Sequence, residues 1–371
     1  MLDPTTRDYI EALPLDPELM RAVLAAVSCT DSEPIPKVAQ AGETIDSPEG
    51  RYQIMHNGVK VIEDCYYGRW MTELIRLLKG HHEPQEEKAF HEVLDHVPEG
   101  GTMVELGSFW AYYSLWFQLR IRGAKNYLIE PDPNNLEVGK RNFALNGAAG
   151  QFFNYRIGRS SSAPEPFRCE SDNEERLVPA VSVDDFLSLV GLHHVDVLFA
   201  DIQGAEREML EGAAKSIARG AIRFIFLSTH HHSISNDPLT HQKCLRFLGE
   251  RHAHILAEHN VTESYTSDGL IVASLWPEDR QIAPIAVSRN HSTNTAYREL
   301  EYDLDEAWQA LATAREELRR ITDRCGTLEQ ELESLRRARF FPDAGNPKQS
   351  TSAWEWAPLR RLQSLLRNWE Q

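Results

Sequence analysis

Seven short apolar segments alternate with helical patterns through the middle of the chain. They are rich in Val, Ile, Leu and Phe and lie at 102–108, 126–132, 152–158, 195–203, 222–230, 254–260 and 270–276. Near-continuous apolar strands separated by helices are typical of a parallel sheet that is covered on both faces. The pattern predicts a doubly wound α/β domain with seven strands over residues 96–280. It also predicts a short helix near Phe186–Val190 and a loop over Ser160–Asn173.

The sequence before this domain is more polar and is interrupted by Pro, Gly and Asp. Residues 1–95 are interpreted as an N-terminal extension that supplies helices or a lid over the substrate. A packing helix is expected at Met71–Leu78. After the domain, residues 281–296 are interpreted as a linker.

A heptad repeat begins at Tyr297 and ends near residue 340. Its a-type positions are Tyr297, Leu304, Leu311, Leu318, Cys325 and Leu332, and its d-type positions are Leu300, Ala307, Ala314, Ile321, Leu328 and Leu335. The positions between them are mostly Glu, Arg and Asp. The repeat predicts a coiled coil over 297–340 that forms a homo-oligomer through 297–335. The alternative is a single amphipathic helix that packs on the globular domain.

The last segment, 341–371, is predicted to be a loop followed by an amphipathic helix. Apolar residues recur at helical spacing beside arginines; they are Trp356, Leu359, Leu362, Leu366 and Trp369, with Arg360, Arg361 and Arg367. A short helix with Trp and Arg suits a peripheral contact with a membrane surface through 353–371. Contact with the coil or with a partner protein is the alternative.

Composition restricts the compartment and the partners. The 371 residues carry a net charge of −17, which disfavours nucleic acid as a partner because a polyanion is repelled. No apolar run approaches the roughly 20 residues that a membrane span needs, and the acidic, proline-containing start does not resemble a signal peptide. Five scattered cysteines without a CxxC pair favour a reducing compartment. We therefore expect a cytoplasmic protein, with the inner face of the membrane as the alternative location.

The end of the first predicted strand carries the first candidate site residues, Glu105, Gly107 and Ser108. One glycine permits a sharp turn between the strand and the next helix. A dinucleotide site would need G-x-G-x-x-G, so that the pyrophosphate can reach helix N–H groups. Phe109, Trp110 and Ala111 occupy this loop instead. The loop therefore favours a ligand without phosphate.

The second predicted strand ends at Glu130 and Pro131. An acid at this position can accept hydrogen bonds from both hydroxyls of a ribose. Together with Glu105 it also suits a positively charged ligand. S-adenosylmethionine has a ribose, a sulfonium cation and no phosphate, so it is the predicted cofactor. The alternative for Glu130 is a contact with the N-terminus of the following helix.

The fourth predicted strand ends at Asp201, and Gln203 and Glu206 follow it. Asp201 and Gln203 share one face of an extended strand. Asp201 is therefore predicted to contact the cofactor and to orient or deprotonate an acceptor hydroxyl, with Gln203 and Glu206 binding substrate. Ligation of a divalent metal by Asp201 and Glu206, or capping of the next helix, are the alternatives.

Three histidines follow the fifth predicted strand, His230, His231 and His232. Imidazole titrates near neutral pH, so either of the first two is a candidate base for the hydroxyl, and His232 would contact substrate. A metal set made of these histidines with His241 and Asp201 has no recognisable ligand spacing. The sequence therefore assigns no metal ligands.

The segment just before the first sheet strand is dense in aromatic, histidine and acidic residues. Aromatic rings cover the apolar faces of sugars, and acids bind sugar hydroxyls. The predicted substrate-binding residues of this lid are Tyr67, Trp70, His82, Glu83 and Glu86. The alternative is an ordinary packing helix followed by an acidic helix start.

Three motifs in the chain resemble FkbM-type methyltransferases. They are Val104–Gly107, Leu128–Pro131 and the D-x-Q-G-A-E segment Asp201–Glu206 with Leu210 after it. The resemblance covers residues 80–277 and implies a class-I, Rossmann-like fold that uses S-adenosylmethionine to methylate hydroxyl oxygens, often of sugars. Within it, Glu105 and Gly107 match the first cofactor motif and Glu130 matches the ribose-binding acid.

The sequence thus predicts an O-methyltransferase that acts on a sugar hydroxyl of a bacterial polysaccharide or a glycosylated metabolite. Asp201 would orient the hydroxyl, and His230 or His231 would deprotonate it. One alternative is a coiled-coil scaffold with a degenerate methyltransferase domain. Another is a methyltransferase that acts on a nitrogen or on a small metabolite.

Overall fold

The structure is a computed structural model that describes residues 4–48, 50–290 and 298–340. The chain divides into two compact units, residues 1–303 and 304–371. The predicted terminal loop and helix over 341–371, and Tyr297 of the heptad repeat, lie outside the described residues.

The α-helices of the described residues are α1 (Pro4–Glu11), α2 (Pro17–Ser28), α3 (Arg69–Leu77), α4 (Pro84–Leu94), α5 (Tyr112–Arg120), α6 (Pro133–Leu145), α7 (Val183–Leu189), α8 (Glu206–Gly212), α9 (Ala214–Ala218), α10 (His232–Ser235), α11 (Thr240–Gly249) and α12 (Arg298–Phe340). The strands are β1 (Thr44–Ser47), β2 (Gly50–Ile54), β3 (Lys60–Ile62), β4 (Thr102–Leu106), β5 (Lys125–Ile129), β6 (Gln151–Phe153), β7 (Arg156–Ile157), β8 (Ser162–Arg168), β9 (Glu175–Val181), β10 (Val195–Asp201), β11 (Ile222–Thr229), β12 (His254–His259) and β13 (Gly269–Ser274).

A seven-stranded sheet forms the centre of the first unit, in the order β12-β13-β11-β10-β4-β5-β6. Each predicted apolar segment contains one of these strands, so the predicted seven-stranded Rossmann-like sheet is confirmed. The sheet is mixed rather than parallel, because β13 runs antiparallel to both β11 and β12. Chain order reverses between β4 and β10, and ligands of such sheets bind outside the carboxyl ends of the strands at this switch point.

Alternating side chains of the central strands enter two separate cores. On β10, Val197 and Phe199 pack into one core, whereas Leu198 and Ala200 pack into the other. This division follows from the two-residue period of a strand whose faces are both covered. Helices of the predicted N-terminal extension complete the first core, where Val23 and Ile75 are buried. The extension therefore packs as part of the first unit.

The predicted loop over Ser160–Asn173 is wrong, because β8 occupies half of it and pairs antiparallel with β9. Most side chains of β8 are exposed, so hydrogen bonding holds this strand without the apolar pattern that identifies a buried one. The predicted short helix is α7, which begins earlier than expected after its cap Ser182. The packing helix expected at Met71–Leu78 is α3.

The heptad region forms one continuous helix of 43 residues, α12. Apolar side chains of the repeat are exposed on it, namely Leu311, Leu318, Ile321, Leu328, Leu332 and Leu335. The helix confirms the helical period of the repeat, and self-association stays a prediction. Within the described residues, no helix combines the length and the apolar character needed to cross a bilayer.

Replacement of Phe226 by Ala should lower the free energy of unfolding by about 3–5 kcal/mol, because the missing ring leaves a cavity in the first core. Phe226 is fully buried on β11, and its ring centroid lies 5.5 Å from that of Phe90 on α4. Denaturant unfolding measures the change. Leu177→Ala, at a side chain 69% exposed on β9, is the control and should change stability by about 0.5 kcal/mol or less. Equal effects of the two substitutions would contradict this packing.

Candidate active site

Two neighbouring cavities open at the carboxyl ends of β4, β5 and β10. The larger, here called the first cavity, has a volume of about 500 Å³, and the second cavity has about 270 Å³. Six residues line both of them: Tyr66, Tyr67, His82, Glu83, Asp201 and Gln203. A ligand in one cavity therefore lies directly beside a ligand in the other.

A sharp turn after β4 places the predicted cofactor residues in the first cavity. Gly107 has a φ of 75°, and a Cβ atom there would lie 1.7 Å from the carbonyl oxygen of Asp201. Only glycine therefore lets the ends of β4 and β10 approach this closely. The predicted cofactor residues all line the first cavity: Glu105, Gly107, Ser108, Glu130, Pro131 and Asp201.

Backbone amides hold the two predicted cofactor acids. Glu105 Oε2 accepts a hydrogen bond from Ser114 N at 3.1 Å, and Glu130 accepts bonds from Phe109 N at 3.0 Å and Asp132 N at 2.9 Å. Asp132, rather than Glu130, caps α6 by accepting from the backbone of that helix. Burial raises the pKa of both Glu105 and Glu130 to about 8. A positively charged ligand would favour their ionised forms.

His230 lies between carboxylates at the end of β11. Its Nδ1 donates to Glu206 Oε1 at 2.7 Å, and its Nε2 lies 3.2 Å from Asp201 Oδ1 and 3.7 Å from Asp268 Oδ1. Burial by itself would lower the pKa of His230, but Asp201 and Glu206, with the charge of Asp268, raise it well above the usual value. These carboxylates therefore favour the protonated ring. Such an environment does not support the predicted role of His230 as the base, which stays a prediction.

His231 and His232 do not line either cavity. The alternation expected of an extended strand ends here, because α10 begins at His232 and the Nδ1 of His231 accepts from Ser233 N at its start. The predictions of His231 as a base and His232 as a substrate contact are therefore not supported. The proposed metal set also does not assemble, since His241 bonds Thr229 Oγ1 and Glu258.

Four of the five residues of the predicted lid line the second cavity, and their contact with a substrate stays a prediction. Tyr67, Trp70, His82 and Glu83 line the second cavity. Glu86 lies behind the cavity lining, buried, and accepts from Ser228 Oγ at 2.5 Å.

Glu206, another predicted substrate contact, is also buried behind the lining and bonds His230. The structure therefore gives both of these acids partners within the protein. Gln203 keeps the predicted position, with its amide 3.3 Å from Asp201 Oδ1.

Sequence reasoning missed Asp268, which lines the second cavity just before β13. Candidate acids were sought where strands end, and this one lies where a strand begins. Because β13 runs antiparallel, its start reaches the same edge as the carboxyl ends of its parallel neighbours. The signal available in the sequence was an acid, Asp268, directly before an apolar run. Only the direction of the strand in that run shows that the acid reaches the site.

Residues 92–258 match the family model described as the Methyltransferase FkbM domain. The match confirms the predicted resemblance of this part of the chain to the FkbM methyltransferases. The protein is accordingly an S-adenosylmethionine-dependent methyltransferase, as the sequence predicted. The search of curated proteins found no match.

Several solved structures are similar to this chain. A SAM-dependent methyltransferase from Aquifex aeolicus is 12% identical, covering 52% of this chain and 89% of its own, with a TM-score of 0.34. TrmK from M. capricolum, solved with S-adenosyl-homocysteine, is 11% identical, covering 53% and 74%, with a TM-score of 0.33. A putative rRNA-methylase from Clostridium thermocellum is 8% identical, covering 51% and 94%, with a TM-score of 0.37.

The first cavity fits this cofactor on its own chemistry. Ser108 Oγ is buried there without a hydrogen-bond partner among the described residues, so it is available to a ligand. Glu105 and Glu130 supply acidic oxygens, and the turn after β4 carries no glycine-rich phosphate loop. A nucleoside with a cationic centre and no phosphate satisfies these groups.

Replacement of Glu130 by Ala should weaken S-adenosylhomocysteine binding by about 10–100-fold, because hydrogen bonds from the ribose to a carboxylate are lost. Isothermal titration of the full chain measures the affinity. Glu137→Ala on the exposed face of α6, where the side chain is 60% exposed, is the matched control. Glu130→Gln, which keeps an acceptor oxygen for the backbone, separates the loss of binding from a loss of folding. Unchanged affinity in both Glu130 variants would contradict the assignment.

Proposed function

We propose that this methyltransferase transfers the methyl group to a sugar hydroxyl, in a polysaccharide or a glycosylated metabolite. The observation that supports this is the lining of the second cavity, where Tyr66, Tyr67 and Trp70 lie with the carboxylates of Glu83 and Asp201. Aromatic rings cover the apolar face of a sugar while carboxylates accept from its hydroxyls. The Tyr66 ring is itself held in place by stacking on Trp110 at 4.4 Å.

The first cavity holds the cofactor in this proposal. Glu130 accepts from the ribose hydroxyls, Ser108 supplies a further polar contact, and Glu105 adds negative charge near the cation. When bound, the cofactor supplies an electrophilic methyl group on a sulfonium that leaves as a neutral thioether.

Asp201 lies at the junction of the two cavities and takes the acceptor proton. The hydroxyl donates to the Asp201 carboxylate, which His230 keeps ionised by its positive charge at 3.2 Å. Glu206 in turn keeps His230 oriented through Nδ1. Most of the rate comes from holding the two reactants together, and proton transfer to a base adds about 10²–10⁴-fold.

A degenerate domain used only for assembly has less support. Glu105, Glu130 and Asp201 all reach the cavity linings, so the groups needed for binding and proton transfer are present together. The other alternative, a nitrogen acceptor, depends on the charges of the second cavity.

We also propose that α12 self-associates as a coiled coil through 297–335. The heptad repeat leaves Leu318 and Leu335 about two thirds exposed on the helix, and a second copy would bury such a seam. A cytoplasmic location, with 353–371 contacting a membrane surface or a partner, belongs to the same proposal. The five free cysteines support a reducing compartment.

Replacement of Asp201 by Asn should lower methyl transfer to glycans by about 10²–10⁴-fold, because the amide cannot take the proton. Transfer from labelled S-adenosylmethionine to a panel of defined glycosides and polysaccharides measures it. The affinity of the Asp201→Asn variant for S-adenosylhomocysteine should change much less than its rate of methyl transfer. Glu99→Gln, at a side chain 71% exposed, is the control. The proposal fails if no saccharide is methylated, or if Asp201→Asn retains the turnover of the unmodified protein.

Replacement of Leu328 by Asp should dissociate the oligomer, because a charge cannot be buried in the seam without a partner. Light scattering coupled to size exclusion measures the mass of the full chain. The adjacent Thr327→Asp adds the same charge on the exposed face and should leave the mass unchanged. A chain that is monomeric before substitution, or an oligomer that withstands Leu328→Asp, would show that α12 does not self-associate.

A further inference from the structure

The second cavity is formed mostly by segments outside the family domain. Ala22 and Ala26 on α2, Trp70 and Leu74 on α3, and the loop Thr266–Asp268 all line it, whereas the family model matches residues 92–258. The proposed acceptor cavity is therefore lined mostly by residues outside the matched domain, and their chemistry indicates the acceptor class.

We propose that the acceptor is an amino sugar, whose ammonium group is held by the carboxylates of the second cavity while a neighbouring hydroxyl is methylated. This inference rests on the proposed function above and specifies its substrate. It follows from the charges of the lining, an unpaired donor and the aromatic rings.

Acidic groups dominate the polar lining of the second cavity. Three carboxylates line it, from Glu83, Asp201 and Asp268, and its described lining contains no Lys or Arg. An acceptor with a carboxylate or phosphate would meet like charges in a lining without Lys or Arg, which disfavours uronic acids and nucleotide sugars.

The two histidines of the lining cannot neutralise all of these acids, because each ring is also bonded to a buried carboxylate behind it. His82 Nδ1 bonds Glu87 Oε1 at 2.7 Å, and His230 Nδ1 bonds Glu206 Oε1 at 2.7 Å. Burial would lower the pKa of His82, but Glu83 and Glu87 raise it to about 10. Each ring also lies beside a lining carboxylate, with His82 Nε2 3.2 Å from Glu83 Oε2 and His230 Nε2 3.2 Å from Asp201 Oδ1. The two rings are thus shared among five carboxylates, from Glu83, Glu87, Asp201, Glu206 and Asp268, so acidic groups remain in excess.

Of the three lining carboxylates, that of Asp268 lies farthest from a histidine nitrogen, at 3.7 Å from His230 Nε2. Its side chain is 31% exposed, into the cavity. Burial raises its pKa to about 7, His230 opposes this, and the charges of Asp201, Glu83 and Glu206 add to the increase. A bound ammonium group would favour the ionised carboxylate, so the cation would displace the proton from Asp268.

The Nε2 atom of His230 indicates that the ligand also carries a hydrogen-bond acceptor. The side chain is only 1% exposed, and Nε2 makes no hydrogen bond with a described residue although two carboxylates lie near it. A protonated ring offers an N–H donor there, which suits a sugar oxygen and repels an ammonium group. The carboxylates of Asp201 and Asp268 lie 3.2 and 3.7 Å from this donor. The three groups thus suit a ligand that carries an oxygen and a cation on adjacent carbons.

The carboxylates of the second cavity also favour oxygen over nitrogen as the atom that is methylated. An amine held as ammonium by carboxylates has no free lone pair, so it cannot attack the methyl carbon. The adjacent hydroxyl forms the new O–C bond and loses its proton to Asp201. The amine is therefore a binding group, and Trp70 and Tyr67 add cation–π and sugar-face contacts around it.

Binding of three methyl glycosides to the full chain saturated with S-adenosylhomocysteine tests the inference. Methyl glucosaminide should bind about 10–100-fold more tightly than methyl glucoside, as expected for a charge-assisted hydrogen bond. Methyl glucuronide should not bind measurably. Lowering the pH from 7 to 5.5 should weaken only the glucosaminide, because protonation of Asp268 removes its charge while the amine stays protonated.

Asp268→Asn should reduce the preference for the glucosaminide over the glucoside to about threefold or less and leave S-adenosylhomocysteine affinity intact, which also shows that the variant folds. Glu99→Gln, exposed and outside both cavities, should keep the full preference. Equal binding of the three glycosides, binding of none, or a product methylated on nitrogen would overturn the inference. Failure to bind S-adenosylhomocysteine would instead overturn the proposed function.

Discussion

The close approach of β4 and β10 is the constraint on which the site depends. Gly107 has no side chain, so the backbone of Asp201 can lie where a Cβ atom would otherwise be. This contact brings the acids after three neighbouring strands to one edge of the sheet. Without it the two cavities would not meet at Asp201, and a cofactor and an acceptor could not share a boundary.

Buried charge is the second organising feature of the molecule. Glu206 and Glu87 lie behind the cavity linings, and each holds a histidine as a cation whose ring faces a lining carboxylate. Isolated buried charges are costly, but alternating carboxylates and imidazolium rings compensate one another. In the proposed mechanism His230 is a donor and orienting group, and Asp201 is the base.

The methyltransferase domain and the proposed acceptor cavity are formed by different segments of the chain. The family match ends at residue 258, but α2, α3 and the loop before β13 supply much of the second cavity. Elements on both sides of the domain in sequence thus meet over one sheet edge.

The sequence by itself determined the seven strands, the long helix and the acids Glu105, Glu130 and Asp201, because apolar period and strand-end position are local signals. Tertiary structure decided which carboxylates surround His230 and that Asp268 lines the second cavity. His230 lies beside Asp201, Glu206 and Asp268, which are distant from it in sequence, and Asp268 reaches the site only because β13 runs antiparallel. Electrostatic environment and strand direction arise from long-range packing, so no local pattern of residues could specify them.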